Sequence, residues 1–279
     1  MVLVHKTIDF EDSLCYNEAI KAKDDIKSMY EEQNIQLAKA VNTAILQNKG
    51  NTIGLLSEKT LHSALKFYFC EDVSCHEIKF KGCVADVLIN DIDLPHIFEI
   101  QTKQAWRLAK KLNAYGQDAD VTVVLPLFRQ KLIRWIDPQT GEVSEPHKST
   151  RPKNIFCALR EMYGIRQFIT APNVSVCILL MNGIEYKLLD GYGKDKKRRA
   201  SKYDIIPEEI LEELWISEES DLSVFKLQEL CDKEFTAKEF AKAASLRLEE
   251  ARWAMLSLKS MGIIEECGKR GRLKLWRYL

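Results

Sequence analysis

A chain of 279 residues, 46% hydrophobic and 29% charged with 12 glycines and 7 prolines, is a globular protein of about two domains, which excludes a disordered, collagen-like or low-complexity chain. No apolar run approaches the roughly 20 residues of a membrane helix, and residues 1–12 lack the basic-then-apolar order of a secretory signal. The 41 basic and 41 acidic side chains cancel overall but not locally: residues 101–160 carry 11 basic and 5 acidic, residues 192–203 carry 6 and 1, residues 204–235 carry 2 and 11, and residues 236–279 carry 10 and 5. Each basic block reads equally as a nucleic-acid surface or as a solvated face. Cysteines 15, 70, 75, 83, 157, 177, 231 and 267 form no CxxC and read as the reduced thiols of a cytoplasmic protein.

In chain order, Ile20, Ile26, Met29, Leu37, Val41 and Ile45 recur near a 3.6 period and predict a helix over 16–48. Ser57 caps a second helix, 58–69, with Leu61, Leu65 and Phe69 on one stripe. Strands follow at 76–80, 84–89 and 97–102, each bounded by turn residues. A helix over 104–115 buries Ala105, Leu108, Ala109 and Leu112, and Gly116 stops it. The unbroken apolar run 121–128 predicts a central strand covered on both faces. Residues 131–136 alternate and end in a turn at 137–141, residues 154–163 read as helix, and 174–181 as a buried strand that 186–189 can pair with. A basic linker (191–203) leads to predicted helices at 207–214 and 222–231. The fold class expected is α/β with a mixed central sheet.

The hairpin 84–102 carries the most chemistry. If it is symmetric about its turn at 90–95, paired positions sum to 185 and Asp86 faces Glu99, with Gln101 two residues on and on the same side. Two carboxylates on an apolar hairpin are costly unless paired or metal-bound, and oxygen ligands without thiolates suit Mg²⁺ or Mn²⁺. The plain alternative has Asp86 opening a strand and Glu99 meeting a core lysine or arginine. Cys70, Cys75, His76 and Cys83 are a weaker zinc candidate, because their spacing is not a standard one. No GxxxxGK[ST], GxSxG or HExxH occurs.

A helix with Glu58, then Val84-Ala85-Asp86-Val87-Leu88-Ile89, Phe98-Glu99-Ile100-Gln101, a helix and an apolar strand resembles the PD-(D/E)xK nuclease superfamily over about residues 50–136. The resemblance implies a restriction-endonuclease-like αβββαβ core in which Asp86 and Glu99 are the metal-binding acids and Glu58 is the additional acid of the first core helix. Gln101 stands where the family usually has lysine. Some members carry glutamine there and others move the lysine, which makes Lys103 the candidate substitute. Glu58 equally suits a helix first turn, and Lys103 an ordinary helix start. Gln104 and Arg107 lie where they can contact phosphate.

Thr236-Ala237-Lys238-Glu239 is a capping box opening a helix, a turn at 245–246 leads to a second helix over 247–261, and Gly262 ends it. Two strand-like runs then flank Gly268-Lys269-Arg270-Gly271. This order over 222–279 resembles a winged helix, which implies a second helix in the major groove and a wing on the backbone. Arg247 and Arg252 of that helix, Lys269, Arg270 and Arg272 of the wing, and Lys196, Lys197, Arg198 and Arg199 of the linker are the candidate DNA-binding residues. Trp253 and Trp276 fit core or interface positions better than base-stacking ones.

The division expected is an N-terminal helical segment (1–50), a nuclease-like domain (51–191), a basic linker with an acidic helix (192–221) and a winged-helix domain (222–279). The function expected is Mg²⁺- or Mn²⁺-dependent hydrolysis of DNA, by the chain alone, as a homodimer or in a larger nucleoprotein assembly. The alternatives are a DNA-binding regulator or assembly subunit with a silent nuclease-like domain, and a protein-interaction module.

Overall fold

The computed structural model describes residues 10–48, 60–149, 152–192 and 199–279, with side chains of the first helix described over 27–47. Helices α1 (Phe10–Asn48) and α2 (Thr60–Phe69) precede the sheet. Its strands are β1 (His76–Phe80), β2 (Cys83–Ile89), β3 (His96–Ile100), β4 (Asp120–Ile136), β5 (His147–Lys148), β6 (Val174–Leu188) and β7 (Ser201–Ile216). They run in the order β1-β2-β3-β4-β6-β7, with β5 pairing β4. β3, β4 and β6 are mutually parallel and the remaining pairs antiparallel, so the chain is a mixed α/β fold.

β4 lies between β3 and β6 because its first half is apolar on both sides. Val121, Val123, Leu125 and Leu127 pack in one core cluster with α3 (Ala109–Tyr115) and α4 (Leu159–Gly164). Val124 and Phe128 pack in the other, with α1 and α2. The run continues past a bulge at Phe128/Gln130, so residues 121–136 form one strand rather than two, and β6 likewise continues to Leu188.

The helix expected at 207–214 is a strand. Residues 201–216 form β7, the sheet's edge, antiparallel to β6 with Met181 opposite Ile210. Pro207 sits opposite Gly183 where the register shifts, a place in an edge strand that tolerates a residue without an N–H. The outward backbone groups of Ile210 are met by α1: the Ile210 N–H donates to Asn34 Oδ1 at 2.7 Å, and Asn34 Nδ2 donates back to the Ile210 carbonyl at 3.2 Å. The helix expected at 222–231 is two short 3-10 turns, Glu219–Phe225 and Gln228–Leu230.

The C-terminal segment forms α5 (Ala237–Ala243), α6 (Leu248–Ser260) and the hairpin β8 (Ile264–Arg270)–β9 (Leu273–Tyr278). The capping box is made in full, with Thr236 accepting from the Glu239 N–H and Glu239 from the Thr236 N–H. This module shares one core with the α/β body: Phe156 lies 5.8 Å from the Phe225 ring and 5.9 Å from Phe240, and Asn154 Nδ2 donates to the Ala244 carbonyl at 2.7 Å. Among the described residues no helix is long and apolar enough to cross a membrane.

Candidate active site

The β2–β3 hairpin pairs Val87 with Phe98, Leu88 with Ile97 and Ile89 with His96, the register that sets Asp86 against Glu99. Asp86 lies inside β2 rather than opening it. It reaches across the end of the ladder, and its Oδ2 accepts from the Ile100 N–H at 2.8 Å and meets His62 Nε2 of α2 at 3.2 Å. Glu99 is 0% exposed. Its Oε1 accepts from the Tyr115 hydroxyl at 2.8 Å, and its Oε2 from Lys111 Nζ at 2.6 Å. The same Lys111 ammonium lies 3.6 Å from Asp86 Oδ1. One cation thus touches both acids, from the helix that follows them, and Glu99 meets a lysine as the plain alternative expected.

Of the sequence-derived candidates, Asp86 and Glu99 are brought together. Gln101 is placed one residue past β3, where its N–H donates to the Val124 carbonyl at 2.9 Å and its side-chain amide donates to the carbonyl oxygen of Lys103 rather than to either acid. Lys103 lies exposed in the turn before α3. Glu58 lies outside the described residues, as do Lys196, Lys197 and Arg198.

Sequence reasoning missed Lys111, Tyr115 and His62. Lys111 and Tyr115 are four residues apart on α3, and therefore on one face beside the Leu108–Leu112 stripe. That polar pair flanking an apolar stripe was the available signal.

The charges balance unevenly. Burial alone would raise Asp86, but the hydrogen bond and charge of His62, the charge of Lys111 and the Ile100 N–H outweigh it and hold the carboxyl below its usual range. Burial pushes Glu99 up to about 7, and the neighbouring Asp86 charge adds to this against Lys111 and Tyr115. Lys111 is raised: burial works against its charge, and the two acids more than compensate. Burial, then the Glu99 charge, keeps Tyr115 a neutral donor.

A carboxyl raised on folding favours the native state below its unfolded value, and that contribution disappears as pH rises through the folded one. The stability of Glu99→Gln relative to the wild type should therefore improve between about pH 5 and about pH 8. Urea denaturation in chelator at the two pH values reads the difference, and a variant that loses ground with rising pH would contradict the assignment.

Among the described residues no three His, Cys, Asp or Glu side chains gather into a cation cage. The zinc candidate gains no support: the Cys70 thiol donates to the Asp72 carbonyl, and a His76 ring nitrogen meets the Cys70 carbonyl at 2.8 Å. Asp86 and Glu99 themselves contribute two carboxylates. Mg²⁺ keeps several waters and needs only one or two protein carboxylates, and the Lys111 ammonium marks a place where positive charge is balanced by both acids at once.

A family described as a domain of unknown function (DUF8091) matches residues 59–217, more than half of the chain. The chain belongs to this family. The matched span holds His62, Asp86, Glu99, Lys111 and Tyr115 and ends with β7, so the C-terminal module and α1 fall outside it. No curated protein and no solved structure matches the chain.

The cationic candidates of the C-terminal module are partly engaged. Arg270 pairs with Glu239 at 2.8 Å, and its neighbours Lys274 and Arg277 pair with Glu266 and Glu265. Arg247 precedes α6, its N–H donating to Glu250 at 3.0 Å, and Arg252, Lys269 and Arg272 are exposed. Arg199 is exposed with φ 46°.

Proposed function

We propose that the protein is a metal-dependent DNA endonuclease whose centre is Asp86, Glu99 and Lys111. The observation that carries this reading is the convergence of the Asp86 and Glu99 carboxylates at the end of the hairpin, with the Lys111 ammonium in reach of both. Gln101 leaves the motif without its usual positive charge, and Lys111 supplies one from α3. The element order α2-β1-β2-β3-α3-β4 supports the restriction-endonuclease-like αβββαβ reading, and helix, turn, helix and hairpin support the winged-helix reading of the C-terminus.

Asp86 and Glu99 would hold the Mg²⁺ or Mn²⁺. The bound ion would lower the pKa of a coordinated water and offset charge on the phosphate. The chain's own groups do the rest. The Ile100 N–H and His62 orient Asp86 and keep it ionised. Tyr115 fixes Glu99. Lys111 offers an ammonium to the negative charge that grows on the phosphodiester oxygens, where a preorganised cation in a partly buried site acts most strongly. Arg252, Lys269 and Arg272 would hold the DNA backbone through salt-sensitive phosphate contacts.

Supercoiled plasmid incubated with the full chain should be nicked and linearised in Mg²⁺ or Mn²⁺ and left intact in chelator. The amide of Gln101, turned to Lys103, favours a second reading in which the domain is silent and the chain is a DNA-binding regulator or assembly subunit. Salt-sensitive DNA binding without cleavage by either ion would establish that second reading and overturn the first.

A further inference from the structure

On the sheet face that carries α3 and α4, a cleft of about 870 Å³ opens where β3 ends, bounded by residues 102–106, α4 and the start of α6. It holds Lys103, Lys153, Arg160, Arg166 and Arg247 against Glu161, Glu249 and Glu250. Two of those acids are committed to the backbone: Glu161 accepts from the Ala105 N–H at 2.9 Å and Glu250 from the Arg247 N–H. In a chain with no net charge the cleft is a basic locality.

Its rim presents an aromatic surface. Trp106 is 60% exposed although its backbone is gripped from two sides. Gln104 turns the chain into it through a left-handed conformation, φ 59°. At Gly164 a Cβ would lie 2.7 Å from the Trp106 nitrogen, so the end of α4 seats on the Trp106 backbone at a distance only glycine allows. The turn is thus fixed while the indole faces water. Guanidinium groups accompany the rings at this end of the molecule: Arg107 is 5.4 Å from the Trp106 ring, Arg160 is 5.6 Å from Trp253, and Arg166 is 4.3 Å from Tyr163. A flat ring open to stacking beside groups that pair with phosphate is the chemistry that holds nucleotides. Inside a duplex the base faces are covered by neighbouring pairs and only the two end pairs show one, so an exposed indole finds most of its stacking partners on unpaired bases.

We infer that this cleft binds an unpaired DNA strand, stacked on Trp106 with its phosphates on Arg160 and Arg166, so that the substrate class is DNA with a single-stranded segment. The inference rests on the nuclease reading for its link to the acid pair, but the binding itself needs no metal.

The test is fluorescence anisotropy of the full chain, in chelator, with a labelled oligothymidylate of about a dozen nucleotides and with a blunt duplex of equal length. Trp106→Ala should weaken the single strand about tenfold, Trp106→Phe should restore most of it, and duplex affinity should move less than twofold. Arg160→Gln with Arg166→Gln should flatten the salt dependence by about 0.7 in log K per log salt for each phosphate that the two guanidinium groups neutralise. Unchanged single-strand affinity in Trp106→Ala, or equal weakening of strand and duplex, would overturn the inference. Plasmid cleavage is read separately. Cleavage without strand binding sinks the cleft alone, and strand binding without cleavage upholds the cleft and removes the nuclease reading.

Discussion

Asp86→Asn is expected to lower Mg²⁺-dependent plasmid cleavage by roughly 10³-fold or more while the protein stays folded. The substitution keeps the size of the side chain and leaves an oxygen to accept from the Ile100 N–H, which now bonds Asp86 at 2.8 Å. What it removes is half of the anionic charge available to a divalent ion, together with the attraction for His62 and Lys111. A circular dichroism spectrum like that of the wild type would accompany the drop in cleavage, with a lowered melting temperature, because the charge that His62 and Lys111 stabilise is gone. Turnover within tenfold of the wild type would mean that Asp86 holds only its neighbours in place, and the plain reading of the pair as a structural ion pair would stand.

Lys111→Met is expected to cost roughly 10²–10³-fold in the same assay, and its stability signature should depend on pH. Removing one partner of a buried ion pair costs about 3–5 kcal/mol when the other must remain charged. Glu99 escapes that penalty by taking a proton. The destabilisation should therefore be small near pH 5 and grow by pH 8, because the carboxyl already sits at about 7 and rises further once Lys111 is gone. Single-turnover cleavage and urea denaturation at the two pH values separate the effects. A variant that is destabilised as described yet cleaves normally would make Lys111 a structural counter-ion only.

The acid pair could be read from the sequence because a hairpin is a local object. A symmetric turn and a period of two place Asp86 opposite Glu99 without knowledge of anything else, and the Val87–Phe98 pairing follows the same sum. Lys111 was out of reach for the opposite reason. Its reach crosses from helix to strand, and which of Lys110 and Lys111 turns inward depends on where α3 begins. The helix expected from 104 opens as a 3-10 turn over Ala105–Leu108 and becomes α-helical only at Ala109, which changes the phase of every later side chain.

The error at 207–214 has a different cause. Glutamates 208, 209, 212 and 213 among leucine and isoleucine carry helix propensity. The open edge of β6 offers a ladder of backbone hydrogen bonds, and that tertiary partner overrides local preference. The charge blocks of the C-terminus were visible as composition, but composition does not show that Arg270, Lys274 and Arg277 each face a glutamate. Trp106 was invisible as a presented ring, because its exposure follows from the approach of Gly164 to its backbone.

A cation site formed by Asp86 and Glu99 and shared by Lys111 is open to titration calorimetry with Mn²⁺ on the full chain. The wild type should bind Mn²⁺ at millimolar concentration or below. Asp86→Asn and Glu99→Gln should each abolish the heat, and Lys111→Met should bind at least as tightly as the wild type, because the competing ammonium is gone. No Mn²⁺ binding by the wild type, or binding unchanged in Asp86→Asn, would contradict the site.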